Sequence, residues 1–430
     1  MRIVALALLC TLALLGSSAP AEAARSPRYS PRSGLVFNNP RGTAGQKLAI
    51  ITTLNRSIDV APKGSTIRMA QFLFDIDSTA KKLVAAHRRG VNVQMIIDSK
   101  PSPQTKLLIR ELKQNRRAKS FVVRCTASCM AGGTSVMHAK FFMFSTAGDA
   151  KLVSMISSAN PYTGNTFNSW NNLHTIVGNR TIYRSLKKYF VDMLADKNQP
   201  NYFRATVSGK TKLYFFPRRA KAGSNKIPLL NELRHVSCTG AAKGYGRNGR
   251  TVIRVANWGW TSRRRDVADQ IWKLHNRGCV VEVIENSGRS NQRLIRSLLR
   301  RSPKHGYIPV YDAWVDRNRD GTGEYYNHHK VLTVNGVWFG HKNMKIVYTG
   351  SQNLSGVGVV ANNDILMRVH DDRTYNAYNR QLNLIRDKYT KNVTASVLVA
   401  RRGVAEPPTA DSRESSSGHP SDEVESVLDR

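Results

Sequence analysis

Acidic side chains are scarce in this 430-residue chain: 29 Asp and Glu stand against 66 Lys and Arg, leaving a formal net charge of +37. That imbalance excludes a surface that repels polyanions and favours nucleic acid, anionic lipid or anionic cell-wall polymer as company. Long apolar runs are also missing. After the N-terminus no segment is long enough to cross a bilayer. Cysteine is limited to five residues, so a cysteine-dense scaffold is excluded. Metal-binding carboxylate clusters are absent too. Asp316-x-Asn318-x-Asp320-Gly321 begins like a calcium loop, but its twelfth position is Asn327 instead of Glu, and it reads as a polar loop.

What is present at the N-terminus is a basic start at Arg2, an apolar run from Ile3 to Leu15 and then Ala21-Glu22-Ala23. This predicts a signal peptide over residues 1–23 and a secreted, extracellular protein beginning with a basic segment at 24–33. Cys10 lies inside the apolar run, so the mature chain keeps Cys125, Cys129, Cys238 and Cys279. An even count in an exported chain predicts two disulfides, with Cys125–Cys129 and Cys238–Cys279 the favoured pairing and a four-cysteine zinc site the rival. At the other end, residues 405–430 hold seven acids and two bases and are rich in Ser and Pro. A disordered acidic tail is expected over 404–430.

The chain contains an internal duplication. His138-Ala139-Lys140 is followed by Ser158-Ala159-Asn160, and His328-His329-Lys330 by Ser351-Gln352-Asn353. Ile67-Arg68 returns as Ile253-Arg254, His87-Arg88-Arg89-Gly90 as His275-Asn276-Arg277-Gly278, and Leu108-Ile109-Arg110 as Leu294-Ile295-Arg296. The landmarks keep their order, as a duplicated structural unit requires. The alignment also separates the adjacent histidines: His329 falls opposite Ala139, so His328 is the counterpart of His138. Strand alternation agrees, because His328 and Lys330 share one face and His329 takes the other.

Each copy reads as a strand, a helix closed by Gly90 or Gly278, and a continuous apolar strand, Val91 to Ile97 or Val280 to Ile284. Strands alternating with helices predict an α/β fold with two similar lobes and largely parallel sheets, over residues 34–204 and 227–403, joined by a linker at 205–226. After His328 an alternating strand is expected to turn at Asn335-Gly336, a type I′ signal.

The duplicated His-x-Lys followed by Ser-x-Asn resembles the phospholipase D superfamily over roughly residues 34 to 400. The resemblance implies two lobes whose motifs meet in one active site at their interface, in a monomer. The aspartate usual five residues after the lysine is Ser145 in the first copy and Asn335 in the second, and Ser157 stands where glycine is usual. These departures are expected to alter local hairpin structure more than chemistry.

Two imidazoles suit phosphodiester transfer, because one can attack phosphorus while the other protonates the leaving oxygen. The resemblance implies His138 as nucleophile and His328 as general acid. Lys140, Lys330, Ser158, Ser351, Asn160 and Asn353 are expected to meet the phosphoryl oxygens. This set requires no metal or other cofactor. Eleven residues beyond each Ser-x-Asn lie Asn171 and Asp364, expected to orient the histidines, with Asp364 beside His328 and Asn171, or else Asn172, beside His138.

Three functions follow from these observations. The first is a secreted phospholipase D acting on phospholipid at a membrane surface, releasing a headgroup alcohol such as choline. The second is a nuclease of the same superfamily with nucleic acid as substrate, and the third is a non-catalytic anion-binding protein. Trp258 and Trp260, beside Arg263-Arg264-Arg265, fit a lipid interface, base stacking or plain core.

Overall fold

The computed structural model describes residues 29–98, 101–132 and 135–394. The expected signal peptide, the first part of the basic segment and the expected acidic tail lie outside the described residues.

The first lobe opens with strand β1 (Gly34–Phe37) and helix α1 (Ala49–Asp59). A repeat of strand and helix follows: β2 (Thr66–Gln71), α2 (Asp77–Arg88), β3 (Asn92–Ile97), α3 (Pro103–Leu112) and β4 (Phe121–Arg124). The His138 motif leads into an antiparallel set, β5 (Phe141–Ala147), β6 (Ala150–Ser157) and β7 (Asn172–Ile176), and then α4 (Arg180–Leu194). These strands form one seven-stranded sheet in the order β1-β7-β6-β5-β2-β3-β4.

The second lobe repeats the plan. After β8 (Arg204–Ser208), β9 (Thr211–Phe215) and α5 (Pro228–Arg234) come β10 (Val252–Asn257), α6 (Arg265–Asn276), β11 (Val280–Glu285), α7 (Gln292–Leu298) and β12 (Val310–Asp312). The His328 motif leads into β13 (Lys330–Trp338), β14 (His341–Gly350), β15 (Ile365–His370) and α8 (Asp372–Tyr389). The main strand order is β12-β11-β10-β13-β14-β15-β9-β8.

The duplication and the α/β class stand, with three corrections of detail. Within these two sheets β2-β3-β4 and β10-β11-β12 pair in parallel and the other strands pair antiparallel, so each sheet is mixed. Crossover helices produce the parallel half, whereas the motif strands return by direct hairpins. Residues 204–215 are not a linker. They form a hairpin whose second strand, β9, pairs along all five residues with β15 at the edge of the second sheet.

The third correction concerns Asn335-Gly336, which does not turn the chain. β13 runs through it and shifts register between Gly336 and Trp338. A Cβ on Gly336 would meet Thr251 Oγ1 at 2.5 Å, and that hydroxyl accepts the N–H of Val337. Glycine is thus required for a bulge pressed against Thr251, and the turn comes later, at Phe339-Gly340.

Gly90 and Gly278 do close their helices, with φ of 87° and 102°. The core runs across the lobe boundary. Ile96, Phe141 and Ile156 of the first lobe pack in one buried cluster with Leu213, Phe215, Ile365 and Met367 of the second. In such a shared core the two motifs are fixed relative to each other by packing as well as by the chain. Both expected disulfides are formed, Cys125–Cys129 and Cys238–Cys279.

Candidate active site

Each His-x-Lys sits where the chain enters the middle of its sheet. Lys140 immediately precedes β5, and Lys330 is the first residue of β13, paired with Asn257 at the end of β10. Strand ends of this kind are fixed by the sheet while their side chains remain at its edge. Between the lobes, Tyr326-Asn327 pairs in parallel with Ser169-Trp170, and His328 N–H donates to the Trp170 carbonyl at 3.0 Å. On the opposite side of the interface, Asn363 N–H donates to the Val136 carbonyl at 3.0 Å. The ends of both motifs are therefore held by the other lobe.

His138, Lys140, His328 and Lys330 are all buried, at 2%, 0%, 0% and 2% exposure. His138 Nδ1 lies 2.9 Å from Asp364 Oδ1, and His328 Nδ1 lies 2.8 Å from Asn171 Oδ1. The pairing is crossed. Asp364 belongs to the second lobe and orients the first-lobe histidine, while Asn171 belongs to the first and orients the second. This reverses the expected assignment, which placed Asp364 beside His328. The reason is that the lobes pack face to face, so the residue after each Ser-x-Asn points across the interface instead of back at its own motif.

The surrounding hydrogen bonds fix the tautomers. Ser158 Oγ donates to Asn171 Oδ1 at 2.9 Å and accepts Asn172 N–H, and Ser351 Oγ donates to Asp364 Oδ1 at 2.6 Å and accepts Ile365 N–H. Asn171 Nδ2 is spent on Ser169 and the Asn165 carbonyl. Its oxygen therefore faces His328, which must donate from Nδ1. The same holds for His138 against a carboxylate. Nε2 is thus the nitrogen of each ring that Asp364 and Asn171 do not engage. Lys330 Nζ is 2.9 Å from His328 Nε2 and 3.1 Å from the His328 carbonyl, and Lys140 Nζ donates to the His138 carbonyl at 2.8 Å.

The expected phosphate donors divide into two groups. The two lysines stand beside the histidines. The hydroxyls of Ser158 and Ser351 instead brace Asn171 and Asp364, and Asn160 takes the backbone N–H groups of Phe72 and Leu73 on Oδ1 while its Nδ2 donates to Asn165. These three side chains build the site from behind. Asn353 is buried, at 2% exposure.

His329 takes the opposite face, as strand alternation requires. Its Nδ1 lies 2.9 Å from Asn172 Oδ1, its ring meets Phe37 and Tyr378 edge-on, and burial pushes its pKa down to about 3. Asn171 and Asn172 thus serve His328 and His329 respectively. Ser145 and Asn335 hold backbone: Ser145 Oγ accepts Thr66 N–H at 2.8 Å and Asn335 Oδ1 accepts Gly246 N–H at 3.0 Å. At the glycine position, a Cβ on Gly350 would strike the Ile365 carbonyl at 2.2 Å, whereas Ser157 uses its hydroxyl to donate to the Asn172 carbonyl at 2.8 Å.

Sequence reading missed one matched pair. Met137 N–H donates to Asp98 Oδ2 at 2.9 Å, and Asn327 N–H donates to Asn286 Oδ1 at 3.0 Å. Each anchors the residue just before a motif histidine. The signal was available, since 286 minus 98 is 188, the offset that separates His87 from His275. Also unforeseen were the rings against the imidazoles: Phe72 at 5.5 Å from His138, and Trp258 at 5.2 Å from His328.

The family profile described as cardiolipin synthase, PLD-like domain, matches residues 54–194 and again 250–386. The chain belongs to the phospholipase D superfamily. It carries two phospholipase D-like domains of the phosphodiester-acting kind in one polypeptide. Among curated proteins no relative matches. Among solved structures it is similar to phosphatidylserine synthase from Haemophilus influenzae Rd KW20 and to polyphosphate kinase from Porphyromonas gingivalis. With the synthase it shares 12% identity and a TM-score of 0.54, over 84% of this chain and 87% of that one. With the kinase the figures are 15% and 0.51, over 86% of this chain. The chain spans 55% of the kinase's length. At these identities the likeness shows the shared phospholipase D fold and no more.

Proposed function

We propose that the protein is a secreted phosphodiesterase that hydrolyses phospholipid headgroup esters through a covalent phosphohistidine on His138. The observation that carries this reading is the contact of Asp364 with His138 Nδ1 at 2.9 Å. A histidine phosphorylated on Nε2 while protonated on Nδ1 carries positive charge on its ring. A fixed carboxylate favours that state, where the neutral amide of Asn171 gives His328 orientation alone.

In the proposed sequence His138 Nε2 attacks phosphorus, the bond to the headgroup oxygen breaks, and His328 Nε2 delivers a proton to that oxygen. Water then attacks phosphorus, His328 takes its proton, and the N–P bond breaks to release the phosphatidyl monoester. Lys140 and Lys330 offset the charge on the phosphoryl oxygens. The burial of all four side chains supports a single flexible phosphodiester as substrate, since a rigid duplex needs an open groove. The export signal, the disulfides and the basic surface support a role outside the cell at an anionic membrane.

The test is a rapid acid-quench of purified protein with labelled phosphatidylglycerol vesicles and chelator present. The reading expects an acid-labile phospholipid adduct that His138→Ala abolishes. An adduct that persists in His138→Ala and disappears in His328→Ala would reverse the roles.

A further inference from the structure

A second site lies at the far end of the second sheet. β13 spans nine residues from Lys330 to Trp338, which at roughly 3.3 Å per residue puts its end about 25 Å from the catalytic centre. There the chain turns through Phe339 and Gly340, whose φ values of 47° and 77° belong to a type I′ turn. Glycine tolerates that conformation, but phenylalanine is strained in it. Phe339 is nonetheless kept there at 43% exposure, stacked on His235 at 3.9 Å and edge-on to Trp338 at 4.4 Å. Strain held at an exposed aromatic points to a task.

Behind this turn is a cavity of about 600 Å³, walled by β8, β9, α5 and the Trp338-Phe339 turn. Its charges are unequal: Lys212, Arg218 and Arg368 line it with the single carboxylate of Glu232. That carboxylate is already committed. It accepts the Tyr214 hydroxyl, the Tyr348 hydroxyl at 2.6 Å and Arg368 Nη1 at 2.9 Å, leaving Lys212 Nζ at 3.8 Å. Arg218 lies over the Phe203 ring at 3.9 Å. Burial holds Lys212 and Arg218 below their ordinary pKa values. Among the described residues, Trp338 Nε1 and Arg368 Nε are buried without a hydrogen-bond partner. Donors and positive charge therefore exceed the acceptors present, and partly dehydrated cations gain most from a compact anion.

We propose that this cavity binds a phosphomonoester dianion, with its phosphate between Lys212, Arg218 and Arg368 and its organic part against Phe203 and Phe339. A dianion matches the surplus of two positive charges better than a phosphodiester does. The same chemistry is offered by a soluble phosphomonoester and by a phosphatidate headgroup at a membrane. The site stands apart from the catalytic histidines and does not depend on their proposed role.

The test uses full-length mature protein carrying His138→Ala, so that nothing turns over, compared with the same protein carrying Lys212→Gln and Arg218→Gln in addition. Adenosine monophosphate and inorganic phosphate are titrated by calorimetry, and sedimentation is measured with phosphatidylcholine vesicles with and without phosphatidic acid. Binding of the soluble compounds weakened at least tenfold by the double substitution supports a soluble ligand. Loss confined to the phosphatidic acid vesicles supports the lipid headgroup. Absence of binding to every probe, or binding indifferent to the double substitution, overturns the proposal. Phe339→Asn supplies a second reading: it relieves the turn, so thermal stability should rise while binding falls. If both stay unchanged, the strained ring has no part in a site.

Discussion

Asp364, from the second half of the chain, holds Nδ1 of His138, from the first half, at 2.9 Å, and Ser351 Oγ braces the same carboxylate oxygen at 2.6 Å. The imidazole proposed as nucleophile is thus oriented by a residue that reaches it only when both lobes are folded against each other. Neither lobe alone contains this pair.

Asp364→Asn should keep the hydrogen bond but lose the charge. Turnover of bis(p-nitrophenyl) phosphate with chelator present is expected to fall by about 10² to 10⁴-fold, in the range that positioned proton transfer supplies, with KM changed far less. Asn171→Ala, which frees the His328 ring without removing a charge, should cost less. Steady-state kinetics on the two variants check this. Equal losses would show that orientation alone, and not the carboxylate's charge, is what His138 receives.

The adjacent histidines His328 and His329 should separate cleanly. His328→Ala is expected to abolish turnover to within assay background, whereas His329→Gln should retain most of it. His329 acts instead on stability. Its pKa falls from an ordinary 6.5 to about 3, and His174 falls to about 4, both through burial. Both groups stay neutral when folded but take up protons when unfolded. Stability is therefore present above pH 6.5 and lost as pH falls toward 4, by about 1.4 kcal/mol per pH unit for each group. Urea melts at pH 7, 6 and 5 should show a shallower acid limb in His329→Gln; an unchanged slope would count against burial of a neutral imidazole.

Much of the site was legible because duplication supplies its own alignment. His138, Lys140, His328 and Lys330 were found by matching one half of the chain to the other, and His329 was set aside by the same match. Which lobe's Asp364 or Asn171 meets which histidine was not legible, since spacing along a strand says nothing about how two sheets face each other. The hydroxyls of Ser158 and Ser351 read as phosphate donors for the same reason: residue type gives donor capacity, and only packing shows that Asn171 and Asp364 already use it. Asn335-Gly336 carried a true turn signature, but the pressure of Thr251 on Gly336 turned it into a bulge. The second strand of the hairpin at 204–215 pairs with residues 150 to 158 positions later, beyond the reach of any local pattern.

Glu285 gives the opposite pH signature. It lies at the end of β11 with 2% exposure, and burial followed by the nearby Asp312 raises its pKa to about 8. The folded protein keeps this carboxyl protonated where the unfolded chain has lost the proton. Its contribution is complete below pH 4.5 and is lost as pH rises through 8. Glu285→Gln should therefore flatten the decline in stability between pH 6 and 9, as read by denaturant melts at those two values. A variant that declines as steeply as the parent would assign that limb to other groups.

The substrate prediction turns on how the basic surface is used. A membrane-docking enzyme gains about 1 kcal/mol per basic residue near an anionic leaflet while one headgroup enters the cleft. A nuclease would engage many backbone phosphates, and its binding would fall with salt at a log-log slope of about −0.7 to −0.9 per phosphate. Headgroup alcohol should be released from vesicles at a rate that rises at least several-fold with added anionic lipid, survives chelation and is lost in His138→Ala. Plasmid DNA should be bound at low salt but not cut on the same timescale, because the four motif side chains are almost wholly buried and a duplex cannot bring its phosphate to them. Rapid chelator-resistant nicking that requires His138, with no headgroup released, would transfer the assignment from lipid to nucleic acid while leaving the histidine chemistry intact.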